Sequence, residues 1–243
     1  MIPYSLAFRK PFQVWKAYFR RIAPAESVVN FRDGYRAWLS ENPHDIITLM
    51  VNFCKREYGT ISQGSLVVDI GANIGMFSLL ACRSGAEKLL AFEPNPSSFE
   101  ILRKNLFQAL IKTDVAIFPL AVSGMAGETV YMSVDSSPYN ATSNNPINAT
   151  NVVSVETIDL DKIVELCRGR QIDYLKIDCE GAEWEILSKC SEETLSRIDR
   201  IRMELHPRQG RSNSEIIDRL LKNGFRLVHS KHLVVRLDRK SIA

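Results

Sequence analysis

Over most of the chain the apolar positions fall into short continuous runs that alternate with segments of helical periodicity. A continuous run such as Leu66–Ile70 is typical of a strand that is buried on both faces. In the segment 97–110, by contrast, Phe99, Leu102 and Leu106 recur at helical spacing, which predicts a helix with one buried face. This alternation predicts an α/β fold built on a doubly wound, mostly parallel sheet.

The same pattern gives approximate bounds for each element of this region. The predicted helices cover residues 75–83, 97–110, 158–167, 182–190 and 212–222. The predicted strands cover residues 66–70, 88–92, 115–120, 128–134, 152–155, 172–177, 198–205, 225–228 and 233–237. The last two are close enough in sequence to form an antiparallel hairpin at the edge of the sheet. Residues 135–150 are rich in Ser, Asn and Pro and predict a long loop, of the kind that serves as a lid or a binding loop.

Residues 1–60 have a different pattern and predict an N-terminal extension ahead of a main domain at 61–243. In chain order the extension is expected to contain a helix, a hairpin and a second helix, at 11–22, 27–39 and 43–57. The hairpin prediction depends on Asp33-Gly34, a dipeptide that favours tight turns between strands.

Composition and charge exclude several classes of protein. The net charge is only +3, and no basic stripe adjoins the predicted crevice, so we expect no nucleic-acid partner. The five cysteines form no CxxC pair, which argues against a disulfide scaffold or a zinc site and favours free thiols in a reducing compartment. No apolar run reaches the roughly 18 residues of a membrane span. We therefore expect a cytoplasmic protein.

The most informative segment lies where the buried strand that starts this domain runs into a tight turn and then a helix. This geometry lets a ligand approach backbone N–H groups at the start of a helix. Gly71 permits close approach, Gly75 permits close packing of the helix on the strand, and Asn73 tolerates unusual backbone angles. Asp69, at the strand end, is expected to face the ammonium of a cofactor, directly or through water. The residues expected to hold a cofactor here are Asp69, Gly71, Ala72, Asn73 and Gly75.

A second anchor is predicted at the tip of the next strand. The carboxylate of Glu93 is placed to accept hydrogen bonds from both ribose hydroxyls of an adenosine cofactor, and Pro94 and Asn95 are expected beside it. A nicotinamide fingerprint would place glycine at the third position, counting from the first glycine of the turn, and Gly or Ala at the sixth. This chain has Asn73 and Met76 there, which favours S-adenosylmethionine over NAD.

Three motifs and two shorter segments then form a recognisable set. The motifs are Asp69-Ile-Gly-Ala-Asn-Ile-Gly75 with Phe77-Ser78, Phe92-Glu-Pro-Asn95, and Leu175-Lys-Ile-Asp-Cys-Glu-Gly-Ala-Glu183; the segments are Phe31-Arg-Asp-Gly34 and Met203-Glu-Leu-His206. Over roughly residues 26–230 the chain resembles the FkbM-type methyltransferases. The resemblance implies S-adenosylmethionine as cofactor and a seven-stranded, Rossmann-like methyltransferase sheet with a C-terminal antiparallel strand. It also implies O-methylation of a sugar, glycolipid or polyketide hydroxyl. A cofactor-binding scaffold without turnover is the alternative from a different class.

Methyl transfer to a hydroxyl requires a group that removes the hydroxyl proton. Asp178 and Glu180 follow one predicted strand, and Glu204 and His206 end the next, so we expect all four in one crevice as catalytic candidates. The same four side chains suit a divalent cation that activates a diol, although nothing in their spacing requires a metal. Glu183 is expected only to complement the dipole of the helix that it begins.

The first two dozen residues carry an aromatic stripe and no acidic residue. The stripe, at helical spacing, consists of Phe8, Phe12, Trp15, Phe19 and Ile22. Most basic residues of this segment lie off the stripe, so residues 1–24 have the pattern of a helix that lies in a membrane interface. We favour the alternative, in which the stripe packs on the protein's own core or on a second subunit.

Overall fold

The computed structural model of the chain describes residues 7–134, 142–143, 151–207 and 212–240. Within these ranges the chain forms one large sheet with helices on both faces, a small second sheet and an N-terminal extension. None of the helices in the described part of the chain is long and apolar enough to cross a membrane.

The N-terminal extension has the predicted order of helix, hairpin and helix. Its elements are α1 Pro11–Arg20, β1 Val28–Asn30, β2 Arg36–Trp38 and α2 His44–Met50, which continues into a π-helical turn at Val51–Lys55. Apolar residues of this extension share one buried cluster with Ile74, Met76 and Leu79 of the main domain. In addition, the fully buried amide of Asn105 donates to the backbone carbonyls of Trp38 and Ile74, at 2.9 and 2.7 Å. The division at residue 60 stays a prediction, and the two parts share a core.

The large sheet confirms the doubly wound, mostly parallel prediction. In chain order the remaining strands are β3 Leu66–Ile70, β4 Lys88–Phe92, β5 Asp114–Phe118, β6 Ala121–Val122, β7 Thr129–Ser133, β8 Thr142–Ser143, β9 Val152–Ile158, β10 Tyr174–Ile177, β11 Arg200–Glu204, β12 Phe225–Lys231 and β13 Val234–Arg239. Seven of them form the large sheet, in the order β12-β13-β11-β10-β3-β4-β5. Neighbours from β11 to β5 are parallel, whereas β13 is antiparallel to both β11 and β12. The predicted C-terminal antiparallel strand is therefore β13, which lies between β11 and the edge strand β12.

Helices cover both faces of this sheet because its strands are apolar on both sides. The remaining helices are α3 Met76–Arg83, α4 Pro96–Leu106, α5 Leu160–Leu166, α6 Glu183–Lys189, α7 Glu192–Ser196 and α8 Asn213–Lys222. Buried side chains of α3 and α4 pack with Val67 and Leu89 in one cluster. Those of α5, α6 and α8 pack with Leu66, Val68 and Ile70 in another, on the opposite face. Alternate residues of β3 thus point into different cores.

A small second sheet, in the order β6-β9-β7-β8, lies beyond β5 in the chain. Its side chains Val122 and Met132 are buried and also border the large cavity described below. This sheet contains the only part of the expected loop 135–150 that the structure describes, the strand β8. The remainder of that loop lies outside the described residues.

Some predicted bounds are wrong for local reasons. The helix expected to reach residue 110 ends at Leu106, because Phe107 leaves helical geometry and its side chain is 63% exposed. Residue 158 belongs to β9, and α5 begins only after Asp159, whose side chain accepts a hydrogen bond from the Lys162 N–H as an N-cap. The pattern also missed α7 and β6, which are too short to show a period.

The aromatic stripe of the extension is divided between core and surface. Phe8 is fully buried, but Phe12 and Phe19 are 79% and 74% exposed. The buried face of α1 is formed by Val14 and Ala17 instead. The prediction placed the stripe on the protein's own core or on a second subunit. The first of these is wrong for Phe12 and Phe19, because Val14 and Ala17 occupy the contact with the core, and the second stays a prediction.

Candidate active site

The strand order of the large sheet reverses between β3 and β10, which lie side by side. In open α/β sheets such a point leaves a crevice at the carboxyl ends of the strands. A cavity of about 870 Å³ opens there. Its walls come from the segments that follow β3, β4 and β10, from the end of β11, from α2 and from the small sheet. The cavity thus lies where an open α/β sheet is expected to bind a ligand.

The loop after β3 forms one wall of this cavity through Gly71, Ala72 and Asn73. Gly71 has φ of +69°, and a Cβ atom there would lie 1.9 Å from the carbonyl oxygen of Asp178. Only glycine fits, because the loop passes directly against the end of β10. Asn73 also has a positive φ, +50°, as its tolerance for such angles allows.

Gly75 has a structural role that differs from the predicted one. It is not among the residues that line the cavity, and a Cβ atom there would lie 2.6 Å from Leu102 Cδ1. The close packing that it permits is therefore between the start of α3 and α4, rather than between helix and strand. Its φ of +84° independently favours glycine.

Asp69 lies beneath the loop and not on the cavity wall, so its predicted position needs correction. Its side chain is fully buried and accepts a hydrogen bond from the Ser78 hydroxyl at 2.6 Å. The other carboxylate oxygen lies 3.3 Å from the ammonium of Lys176. Ser78 and Lys176 therefore hold the Asp69 carboxylate beneath the loop, where it supports the loop and does not face a ligand.

Lys176, which the sequence analysis missed, connects the loop to β10. Its ammonium donates to the carbonyl oxygen of Gly71 at 2.7 Å and lies 3.7 Å from Asp178 Oδ2. Burial acts to lower the pKa of Lys176, but the negative charges of Asp69 and Asp178 outweigh it and raise the pKa above its ordinary value. A lysine in the middle of a buried strand is an unusual residue, and that position is the signal that could have revealed it.

Glu93 lies at the tip of β4, on the cavity wall, and is 7% exposed. Its two oxygens accept hydrogen bonds from the backbone N–H groups of Asn73 and Asn95, at 2.7 and 2.8 Å. Burial raises the pKa of Glu93 to about 7, against the opposing effect of these two N–H groups. Pro94 and Asn95 also border the cavity, but the Asn95 side chain is occupied as the N-cap of α4. Glu93 therefore fixes the loop and still presents carboxylate lone pairs to a ligand.

Three carboxylates converge on the far side of the cavity: Asp178, Glu180 and Glu204. The buried hydroxyl of Tyr58, from the extension, lies 2.9 Å from Asp178 Oδ2 and 3.2 Å from Glu204 Oε1. Burial and the two neighbouring carboxylates raise the pKa of Tyr58 well above its usual value, so the phenol stays protonated and can donate. Tyr58 precedes Asp178 by 120 residues, and no local pattern could have placed it here.

His206 lies behind these carboxylates and is not among the residues that line the cavity. Its Nδ1 is 3.0 Å from Glu183 Oε1, and its Nε2 is 3.4 Å from Glu180 Oε2. The hydrogen bond with Glu183, together with the charges of Glu183, Glu180 and Asp178, raises the pKa of His206 to about 9. At neutral pH the ring is therefore an imidazolium, which cannot act as a general base.

Glu183 holds His206 in place, a role beyond the predicted dipole contact. It begins α6, is 1% exposed, and accepts hydrogen bonds from the backbone N–H groups of Cys179 and Gly181. Burial alone would raise the pKa of Glu183, but the hydrogen bond and charge of His206, with these N–H groups, outweigh it and lower the pKa.

The structure also bears on the alternative of a divalent cation. Asp178, Glu183 and His206 each offer a ligand atom, and these three atoms lie within 4.8 Å of one another. Of the four expected ligands, Glu180 and Glu204 are not in this group, and Glu183 takes their place. In the structure, however, His206 Nδ1 lies 3.0 Å from Glu183 Oε1, and Glu183 also accepts two backbone hydrogen bonds, so these groups are already paired with protein atoms. The cluster has the character of an ion-paired network.

A family model of the methyltransferase FkbM domain matches residues 69–227. This range covers more than half of the chain and includes the loop, Glu93, Asp178, Glu180 and Glu204. The chain belongs to the FkbM methyltransferase family. Its cofactor is S-adenosylmethionine, as the family implies.

Several proteins are similar to this member of the FkbM family. A hexuronic acid methyltransferase, AglP, of Haloferax volcanii is 29% identical over 144 residues, which cover 59% of this chain and 57% of AglP. Methyltransferase 1 of Beauveria bassiana is 30% identical over 165 residues, 60% of this chain and 66% of that protein. The matched segment thus spans less than two thirds of either relative. Among solved structures, an rRNA methylase from Streptococcus thermophilus covers 83% of this chain and 98% of its own, with 9% identity and a TM-score of 0.46. Likeness at that level carries no functional argument.

The residues of the cavity fit S-adenosylmethionine. A volume of about 870 Å³ is within the range of small-molecule and cofactor sites. The Gly71–Asn73 backbone would hold the amino-acid portion of the cofactor, and the Glu93 carboxylate would accept from its ribose hydroxyls.

We expect the Glu93→Ala variant to bind S-adenosylhomocysteine roughly 10- to 100-fold more weakly, because hydrogen bonds to a charged group are lost. The wild-type affinity should also fall as the pH drops below about 7, where Glu93 gains a proton and ceases to accept from two hydroxyls. Calorimetric titration measures both effects. Glu100→Ala, which changes an exposed carboxylate on α4, is the matched control. Equal affinity for all three proteins would contradict the assignment.

Proposed function

We propose that this chain is an S-adenosylmethionine-dependent O-methyltransferase whose acceptor is a hydroxyl of a sugar or glycolipid. The observation that carries the proposal is the convergence of Asp178, Glu180 and Glu204 on the cavity, beside the cofactor loop. The similarity to a hexuronic acid methyltransferase supports it.

Carboxylates suit a hydroxylated acceptor for two reasons. Each ionised carboxylate is purely a hydrogen-bond acceptor, and a sugar offers several O–H donors to such groups. A hydroxyl must also lose its proton as its oxygen becomes methylated, and a carboxylate can accept that proton. When bound, S-adenosylmethionine supplies the methyl group as an electrophile on a sulfonium. The chain itself has to orient the acceptor and take up its proton.

Glu180 is the carboxylate best placed to receive the proton. Asp178 and Glu204 both face the Tyr58 hydroxyl, and Asp178 also faces Lys176. Glu180 contacts His206 through Oε2, which lies 3.4 Å from the Nε2 atom of the histidine. Its other carboxylate oxygen, Oε1, takes no part in this contact. Burial raises the pKa of Glu180 to about 7, with His206 opposing and Asp178 adding to the rise. A base with a pKa near the working pH transfers protons most efficiently.

Tyr58 and His206 then contact the carboxylates that serve as candidate bases, and they do not contact the acceptor itself. Tyr58 fixes Asp178 and Glu204 at a set separation, and His206 places a positive charge behind the three carboxylates. Without that charge, their mutual repulsion would favour protonation and remove the acceptor sites.

Two other functions remain as alternatives. A polyketide or other small-molecule hydroxyl would need the same base, and an apolar acceptor would use the apolar part of the wall, such as Val122 and Met132. A scaffold that binds the cofactor without turnover would need no base at all.

We place the reaction in the cytoplasm, because all five cysteines are free thiols.

Incubation with a methyl-labelled cofactor should transfer label to uronic acids, nucleotide sugars or lipid-linked glycans, with the product identified as a methyl ether by mass spectrometry and NMR. We expect label in at least one of these acceptors. Label only in polyketide-type hydroxyls would select that alternative. Label in amines, protein or nucleic acid alone would contradict the proposal, and binding without any turnover would favour the scaffold.

The Glu180→Gln variant should lose turnover by roughly 10²- to 10⁴-fold, because the amide cannot take up the proton. At saturating cofactor, the kcat of the wild type should rise with pH through about 7 as Glu180 loses its proton, and this rise should be absent in the variant. Glu192→Gln, at an exposed position of α7, is the matched control. Normal turnover in Glu180→Gln together with a large loss in His206→Asn would return the role of base to His206.

A further inference from the structure

The outer side of α1 presents Phe12 and Phe19, which the fold leaves exposed, and Trp15, which is partly buried against the core of the extension. Phe12, Trp15 and Phe19 lie at helical spacing on one face, and the Trp15 and Phe19 rings are stacked with their centroids 5.2 Å apart. Phe12 and Phe19 are 79% and 74% exposed, and Ile22, just beyond the helix, is 46% exposed. These four residues are called the aromatic face below.

Basic residues border this face, and no acid lies among them. They are Arg9, Lys10, Lys16, Arg20 and Arg21, all exposed. Lys10 pairs with Glu26 at 2.5 Å, the first acidic residue of the chain. The net charge of the whole chain is only +3, so the rest of the chain is net acidic. The positive charge is thus concentrated at the edge of the aromatic face.

Apolar surface continues on the other side of α1. A cavity of about 420 Å³ lies between this helix and the segment 22–30, lined by apolar residues such as Val14, Ala17 and Ile22. Arg9, Lys10 and Lys16 also border this cavity. Cations therefore surround apolar surface along the length of the helix.

We propose that the aromatic face of α1 binds an anionic lipid bilayer, with Phe12, Phe19 and Ile22 inserted at the headgroup boundary and the basic residues on lipid phosphates. Amphipathic helices with aromatic and basic residues bind bilayers in this orientation. A second copy of the chain is the less favourable occupant. A symmetric contact through this face would bring the two basic borders together, with the Glu26 of each copy already paired with Lys10.

The position of α1 gives this contact a consequence for the active site. Its buried residues Val14 and Ala17 pack in one cluster with Ile46 and Leu49 of α2. Another face of α2, including Asp45 and Thr48, borders the large cavity. Since packed helices lie roughly 8–10 Å apart, the bilayer contact and the cavity are separated by a single helix. The proposed bilayer contact rests on the surface of α1 alone, so it does not depend on which acceptor hydroxyl is methylated.

Sedimentation with vesicles tests the proposal on the full chain. The wild type should pellet with vesicles of phosphatidylcholine and phosphatidylglycerol, remain in the supernatant with phosphatidylcholine alone, and be released by salt. The double variant Phe12→Ser/Phe19→Ser should bind at least about tenfold more weakly, because two inserted rings are lost. The double variant Arg20→Gln/Arg21→Gln should lose about fivefold for each charge.

The matched control is Phe107→Ser/Lys104→Gln on α4, which removes one exposed ring and one exposed cation from a different surface. It should bind the anionic vesicles as the wild type does. All substituted side chains are exposed, and equal thermal unfolding of the variants checks that each is folded. Failure of the wild type to pellet, or equal loss in the control, would overturn the proposal. So would a dimer in sedimentation velocity that Phe12→Ser/Phe19→Ser dissociates while vesicle binding is unchanged.

Discussion

The position of the cofactor loop depends on the contacts of one buried group, the ammonium of Lys176. It is nearly inaccessible to water, and it joins the Gly71 carbonyl to Asp69 and Asp178, which lie on two adjacent strands. A buried charge is tolerated only when it is paired and hydrogen-bonded, and removal of one partner from such a group is strongly destabilising. Lys176 therefore requires Asp69 below the loop and Asp178 beside it. The close approach of the loop to β10 in turn excludes any side chain at Gly71.

Beyond Lys176, the carboxylates of the site lie among two positively charged side chains and one neutral phenol. Lys176 faces Asp178, Tyr58 joins Asp178 to Glu204, and His206 lies behind Glu180 and Glu204 with Glu183 at its far side. Each carboxylate is thereby held close to others without the repulsion that would protonate all of them. Burial raises the pKa of both Glu180 and Glu204, that of Glu180 to about 7. An acid whose pKa lies near the working pH is suited to take up a proton.

Sequence patterns predicted those features of the site that follow from local chemistry. A strand, a glycine turn, a helix and an acid at the next strand tip occur in the order that a cofactor site needs, and the parallel sheet brings Asp178 and Glu204 together at one edge. The patterns could not show that Asp69 points away from the cavity, because both faces of β3 are apolar and either direction was possible. Nor could they place Tyr58, which depends on how the extension packs on the main domain. Nor could they show the hydrogen bond between Glu183 and His206, which raises the pKa of the histidine to about 9 and disfavours its expected role as a base.

The central claim is that the crevice between β3 and β10 holds the methyl donor against Glu93, with the carboxylates left open to an acceptor. A crystal structure with S-adenosylhomocysteine tests it most directly. The account predicts that the ribose hydroxyls lie within hydrogen-bond distance of the Glu93 carboxylate. It also predicts that the amino-acid portion follows Gly71–Asn73, with Glu180 facing the unoccupied part of the cavity. Ligand density outside this crevice, or a ribose turned away from Glu93, would contradict the account.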